Sequence, residues 1–189
     1  MVYMTDFTPL PQVIASRRLD LFVIPLDVLK KVRDRCRNEL ADTFGMAVAT
    51  TWMDGMEGRA DLWIQRRMDP ALDPSWLARA IALRETHTVI GHMGFHLPPD
   101  SRGMVEIGYT IEPDYRHQGY AREAALVLAS AAAAHGAAIL RASVSPENTP
   151  SLAVIAHLGL KKVGVQEDEK DGTEVVFEGN LPLTTDTTS

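Results

Sequence analysis

The sequence holds a single cysteine, Cys36. No intrachain disulfide can form, which fits a reducing compartment and a cytoplasmic chain. A basic surplus is also missing: 19 Lys and Arg stand against 25 Asp and Glu, a net charge of −6. A domain that grips a phosphate backbone usually carries the opposite balance, so nucleic acid is not expected as a partner. An acidic balance is compatible instead with cationic or amine-bearing substrates. No apolar run is long enough for a membrane span; "AALVLASAAAA" is about half of the roughly 20 residues required. The N-terminus lacks a basic start followed by an apolar stretch, so no signal peptide is expected. Internal repeats and low-complexity linkers are missing as well.

What is present is the composition of an ordinary folded chain, 46% hydrophobic and 23% charged. The length of 189 residues suits one domain over 1–189, with 1–16 as a loose lead-in and 183–189 as a polar, frayed tail. "RLDLFVIP" alternates and stops at Pro25, which predicts a first strand. Leu26, Leu29, Val32 and Cys36 recur at helical spacing, with Leu40 beyond and Gly45 as a stop. From Met46 to Asp61 there is little periodicity, although "ADLWIQRRMD" could continue as a helix. Three strand-like runs follow, "WLARAIALRE", "HTVIGHMGFHL" and "GMVEIGYTIE", and predict a β-meander. Next come a helix from the "PDYRHQGYARE" turn to Gly136, the strand "AAILRASVS", and a short helix ending at Gly159. The strands "LKKVGVQEDE" and "TEVVFEGNL" close the chain around "KDG", a hairpin. The expected class is α+β (mixed α/β), with strands running both ways.

The turn at Pro113–Glu123 carries the chemistry. It sits where a strand gives way to a helix, and a helix start exposes N–H groups without internal partners under a partial positive charge. Anionic phosphates bind well there. Gly119 permits a positive φ or a close approach, Ala121 obstructs nothing, and Arg116, His117 and Arg122 add cationic or donor character. The Walker A spacing and its lysine are missing, and only one glycine of the dinucleotide fingerprint is present. Taken alone, the turn fits a diphosphate cradle or simply a tight turn with solvated charges.

The stretch "IGYTIEPDYRHQGYAREA" resembles the acetyl-CoA motif of the GNAT superfamily of N-acetyltransferases, Gln/Arg-x-x-Gly-x-Gly/Ala, filled here by Arg116, Gly119 and Ala121. Its surroundings resemble the ribosomal-protein N-acetyltransferase branch, as do "RRLDLFVIPLD" and "NTPSLAVIAHLGLKKVG". The resemblance implies one GNAT-like domain, its central, mostly antiparallel mixed sheet splayed between the fourth and fifth strands and flanked by helices. It implies acetyl-CoA as co-substrate. The pantetheine arm would pair with backbone at Tyr109, Thr110 and Ile111. The pyrophosphate would rest on Arg116, His117, Gln118, Gly119, Tyr120, Ala121 and Arg122. Asn148 would hydrogen-bond the pantetheine. The reaction would be direct acetyl transfer to an amine, a protein N-terminus by the branch resemblance. A polyamine or aminoglycoside acceptor, or a non-catalytic acyl-CoA sensor, remains the alternative. Relatives are often dimers, which leaves a homodimer open.

Amine attack requires removal of a proton. Glu106 is the base candidate; strand alternation places Glu106, Gly108 and Thr110 on one face and Ile107, Tyr109 and Ile111 on the other. The bland alternative is a solvated edge carboxylate. His92 and His96 share a face of the neighbouring strand and could relay protons, or could equally be satisfied structural histidines. Four positions along a strand put them roughly 13 Å apart, so no metal is expected. The leaving thiolate gains from a hydroxyl donor. Many relatives carry a tyrosine four residues before the closing glycine, where this chain has Ile155. The branch resemblance offers Ser151 instead, although a serine so close to a helix start often caps backbone N–H groups. Trp52, Trp63 and Trp76 could line an acceptor pocket or simply pack.

Overall fold

The computed structural model describes residues 7–168 and 172–183. Nine strands form one sheet, in the order β1-β2-β4-β5-β6-β7-β9-β8, with β3 added beside β5. β1 (Val13–Ala15), β2 (Leu19–Val23), β4 (Arg79–Leu83), β5 (Thr88–Phe95) and β6 (Met104–Ile111) are antiparallel neighbours in that order. β7 (Ile139–Val144) runs parallel to β6, and β9 (Gly172–Asn180) lies between β7 and β8 (Lys161–Asp168). Parallel β6 and β7 need a crossover, supplied by α4 (Tyr120–Ala134).

Two apolar layers cover the sheet. On one side α4 and α5 (Thr149–His157) pack Ala124, Leu128, Ala132 and Ile155 against Phe95, Val105, Ile107, Leu140 and Val144. The alanines let α4 approach the sheet closely. On the other side α1 (Leu26–Arg33), α2 (Leu40–Phe44) and α3 (Ala60–Met68) bury Val28, Leu29, Val32, Leu40 and Trp63 against Ala80, Ala82 and Val89. Alternation along β6 sends Val105, Ile107 and Ile111 into the first of these layers and turns Glu106, Gly108 and Thr110 to the other face.

Several elements differ from the sequence reading. The lead-in is not loose over its described part, because Leu10 and Ile14 are buried and β1 pairs with β2. Short strands escape a periodicity test; three residues hold only one inward side chain. The long helix breaks after Arg33: Arg35 takes a positive φ of 57°, a single turn follows at Arg37–Glu39, and only then α2 begins. Gly45 ends α2 at φ 71°, as its position predicted. The uninterpretable stretch holds β3 (Ala47–Val48) and a turn whose Trp52 is fully buried, its indole N–H donating to the Gly91 carbonyl over 3.0 Å. Trp63 and Trp76 are also buried, so all three tryptophans pack. Lys170 and Asp171 of the expected hairpin, and residues 184–189, lie outside the described residues.

Candidate active site

β6 and β7 pair only from Met104↔Ile139 to Glu106↔Arg141. Past that rung they separate. The ladder with β5 decides which backbone groups face the opening. His96 N–H donates to the Glu106 carbonyl, and Glu112 N–H to the Ile90 carbonyl. In an antiparallel ladder successive residues point opposite ways, so the even positions of β6 face β5 and the odd ones face β7. Tyr109 and Ile111 thus present backbone groups to the gap. Thr110 does not, a correction to its expected pairing with pantetheine. The Ile111 carbonyl is already taken by Arg116, whose Nε donates to it over 2.8 Å. Arg116 therefore buckles the turn onto the strand before it can serve a ligand.

At the mouth of the gap, a single turn at Pro113–Tyr115 leads into α4. His117 has φ 60° and Gly119 φ 79°, and the latter geometry is easy only for glycine. A Cβ at Gly119 would meet only the Arg18 guanidinium, at 3.5 Å. Among the described residues, the N–H groups from His117 to Arg122, including those of Gln118, Tyr120 and Ala121, donate to no protein acceptor; the first such bond is Glu123 N–H to the Gly119 carbonyl. Glu123, in the first turn, would repel an anion, but it is engaged. Its carboxylate accepts from the Ser16 hydroxyl at 2.7 Å, from Arg18 N–H at 2.9 Å and from Arg18 Nε at 2.6 Å. Burial resists its ionisation, yet these bonds hold its carboxyl below the usual range. Arg18 also lies 4.4 Å over the Tyr120 ring. This tie between the β1–β2 turn and α4 left no periodic signal in the sequence.

At the start of α5, Asn148 rather than Ser151 caps the helix, its side-chain oxygen accepting from Ser151 N–H at 3.2 Å. The Ser151 hydroxyl is not the cap; it lies beside the Tyr109 phenol. Ile155 is buried in the α4–α5 layer.

On the opposite face of β6, Glu106 accepts a 2.6 Å hydrogen bond from the Ser143 hydroxyl of β7. His96 lies on the other side of Glu106. Gly108 makes room for it: a Cβ there would stand 2.8 Å from His96 Nε2. Burial pushes His96 down; Glu106 pulls the other way, while Arg66 and Arg59 add to the depression. Glu106 is thus neither isolated nor a freely solvated edge carboxylate. Ser143 was not singled out in the sequence, although alternation along β7 places it on the face opposite Leu140, Ala142 and Val144. His92 is not part of this group. It is buried edge-on against Trp52, and burial followed by Arg59 pushes it down to about 4. Glu112 is also buried, accepting from the Thr51 hydroxyl. A Cβ on Gly55 would meet Thr110 and Glu112 side chains at 3.6 and 3.8 Å, so the Thr51–Gly55 turn roofs this end of β6.

Residues 35–161 match the family model of the acetyltransferase (GNAT) domain. The chain belongs to the GNAT acetyltransferase family. A curated relative, an uncharacterised N-acetyltransferase p20 of Bacillus licheniformis, is 33% identical over 110 residues. That match covers 56% of this chain and 60% of the relative. The ribosomal-protein-S5-alanine acetyltransferase of Vibrio fischeri has a similar fold, with TM-score 0.59 and 16% identity, over 94% of this chain and 98% of that one. So does the microcin C7 self-immunity acetyltransferase MccE, solved in complex with acetyl-CoA and AMP, with TM-score 0.62 and 11% identity, over 88% and 94%. This GNAT chain keeps the separated strands and the unpaired N–H groups that a pantetheine diphosphate needs. The residues at the gap fit acetyl-CoA.

Proposed function

We propose that the protein transfers an acetyl group from acetyl-CoA directly to a primary amine, with a protein N-terminus as the acceptor. The observation that carries this reading is the parting of β6 from β7 immediately after Glu106. It puts unpaired strand groups, the unpaired N–H groups of the α4 turn and a carboxylate around one opening. Tyr109 and Ile111 hold the pantetheine through backbone groups. His117, Gln118, Gly119, Tyr120, Ala121 and Arg122 hold the diphosphate, and the Asn148 amide nitrogen donates to the pantetheine. Acetyl-CoA supplies the activated thioester.

Glu106 and His96 take the proton from the attacking amine. His96, kept neutral by burial, can accept it, and Glu106 stabilises the imidazolium that results. Ser143 fixes the Glu106 carboxylate in place. At His96 the carboxylates of Glu106 and Asp168 are opposed by Arg66 and Arg59, so no purely acidic pocket for a polycation forms there, which is compatible with a peptide amine. The name of the Vibrio fischeri relative points the same way.

Free-thiol release from acetyl-CoA is the test, run against N-terminal peptides, polyamines, aminoglycosides and amino acids. Release with peptides is expected. Release only with polyamines or aminoglycosides overturns the acceptor class. A thermal shift with acetyl-CoA and no release with any amine favours the sensor alternative.

A further inference from the structure

β8 is the last strand of the sheet, and among the described residues it pairs with β9 alone. Such an edge presents a row of backbone N–H and C=O groups on which another strand can form. Val163 and Val165 on it are each 55% exposed. Charge is divided along its length, with Lys161 and Lys162 at one end and Glu167 and Asp168 at the other. Lysines often protect an edge from pairing. Here the far end is acidic, so an antiparallel copy of the same strand meets unlike charge at both ends. A parallel copy in register meets like charge.

The faces must match as well, and a bulge decides that. Lys162 and Glu167 are five positions apart, which on a regular strand puts them on opposite faces. β8 carries one extra residue between Lys162 and Gly164. Its pairing with β9 shows the result. Lys162 pairs with Phe177, and Phe177 with Ala142 on the α5 side of the sheet. Val165 pairs with Val175, and Val175 with Val144 on that same side. Glu167 follows two residues on and accepts from the Thr173 hydroxyl at 2.8 Å. Lys162, Val165 and Glu167 therefore stand in one row. Lys161 pairs with Glu178, on the side of Arg141 and Glu106, and Gln166 and Asp168 share that side by alternation. A two-fold axis through Val165 then sets Val165 against itself, Lys162 against Glu167 twice and Lys161 against Asp168 twice. Without the extra residue, charge and face could not match together.

We propose that the outer edge of β8 is a self-complementary docking edge, on which a second copy of this chain adds its own β8 antiparallel and joins two sheets into one. This stands apart from the acetyl-transfer reading. The strand is 8 residues long, a small contact, so the dimer is a weak one that assembles at micromolar concentrations.

The test is sedimentation velocity of the full chain from about 1 to 300 µM at low salt, where facing charges are least screened. A dimer is expected to grow in over this range and to weaken as salt is added. Lys162→Glu and Glu167→Lys each place like charges together twice, and each should weaken the dimer about a hundredfold. Mixing the two variants restores unlike charge at both contacts and should restore a heterodimer. Val165→Cys, in a Cys36→Ser background, should form a covalent dimer on mild oxidation, since directly opposed antiparallel residues lie about 4.5–5.5 Å apart at Cα, within disulfide reach. This cross-link keeps the test decisive if a charge variant does not fold. A monomer throughout the range, with no cross-link, overturns the proposal and leaves the edge to water or to a strand of another protein. A dimer indifferent to both charge reversals overturns it too, because it must use another surface.

Discussion

The Ser143 hydroxyl donates to the Glu106 carboxylate over 2.6 Å, from two residues beyond Arg141, the β7 partner in the last paired rung of β6 and β7. The hydrogen bond therefore fixes the carboxylate where the sheet opens. Glu106→Gln should lower turnover by about 10²–10⁴-fold while acetyl-CoA still raises the melting temperature. Unchanged turnover would remove Glu106 from the proton path.

Gly108→Ala is a subtler probe of the same group. The added Cβ would stand 2.8 Å from His96 Nε2, so the imidazole must move. The far end of a side chain can swing aside, so the fold should survive. Turnover should drop about tenfold or more while acetyl-CoA binding holds. Normal turnover in Gly108→Ala would show that the position of His96 is irrelevant to the reaction.

His92 sets a pH dependence of stability. Its pKa falls from 6.5 when unfolded to about 4 when folded, through burial and then Arg59. Between those values the unfolded chain binds a proton that the folded chain refuses. The contribution is fully present above about 6.5, and is lost as pH falls toward about 4, worth roughly 3 kcal/mol in all. Urea midpoints measured across this range should fall more steeply in the unsubstituted protein than in His92→Asn. Parallel slopes would place the titrating group elsewhere.

Glu123 acts further down the pH scale. Its folded pKa is depressed, so its stabilisation is present above the usual carboxylate range and disappears as pH drops through the folded value. Glu123→Ala removes the acceptor of the Ser16 and Arg18 donors. A loss of about 1–3 kcal/mol is expected in denaturant melts, together with weaker acetyl-CoA binding as the first turn of α4 loosens. If affinity is unchanged despite lost stability, the tie serves the fold alone.

Much of this molecule was legible in the sequence because its signals are local. Strand alternation placed Glu106 and Tyr109 on opposite faces of β6, and the glycine of the turn announced the positive φ now seen at Gly119. Gly45 stopped its helix for the same reason. What escaped depends on contacts between distant segments. Ser16 and Arg18 meet Glu123 more than 100 positions later, and Ser143 meets Glu106 only because β7 lies parallel to β6 in one register. The break at Arg35 was hidden because the apolar spacing continues through it. That Asn148 and not Ser151 caps α5 was hidden because either side chain can cap a helix.

The most direct measurement is mass spectrometry of an N-terminal peptide incubated with the protein and acetyl-CoA, with CoA thiol release followed in parallel. One added acetyl group on the peptide α-amine, matched by an equal amount of released thiol and abolished by excess CoA, is the expected result. An unmodified peptide, no released thiol with any amine, and no thermal shift on adding acetyl-CoA would contradict the assignment of the β6–β7 gap as an acetyl-transfer site.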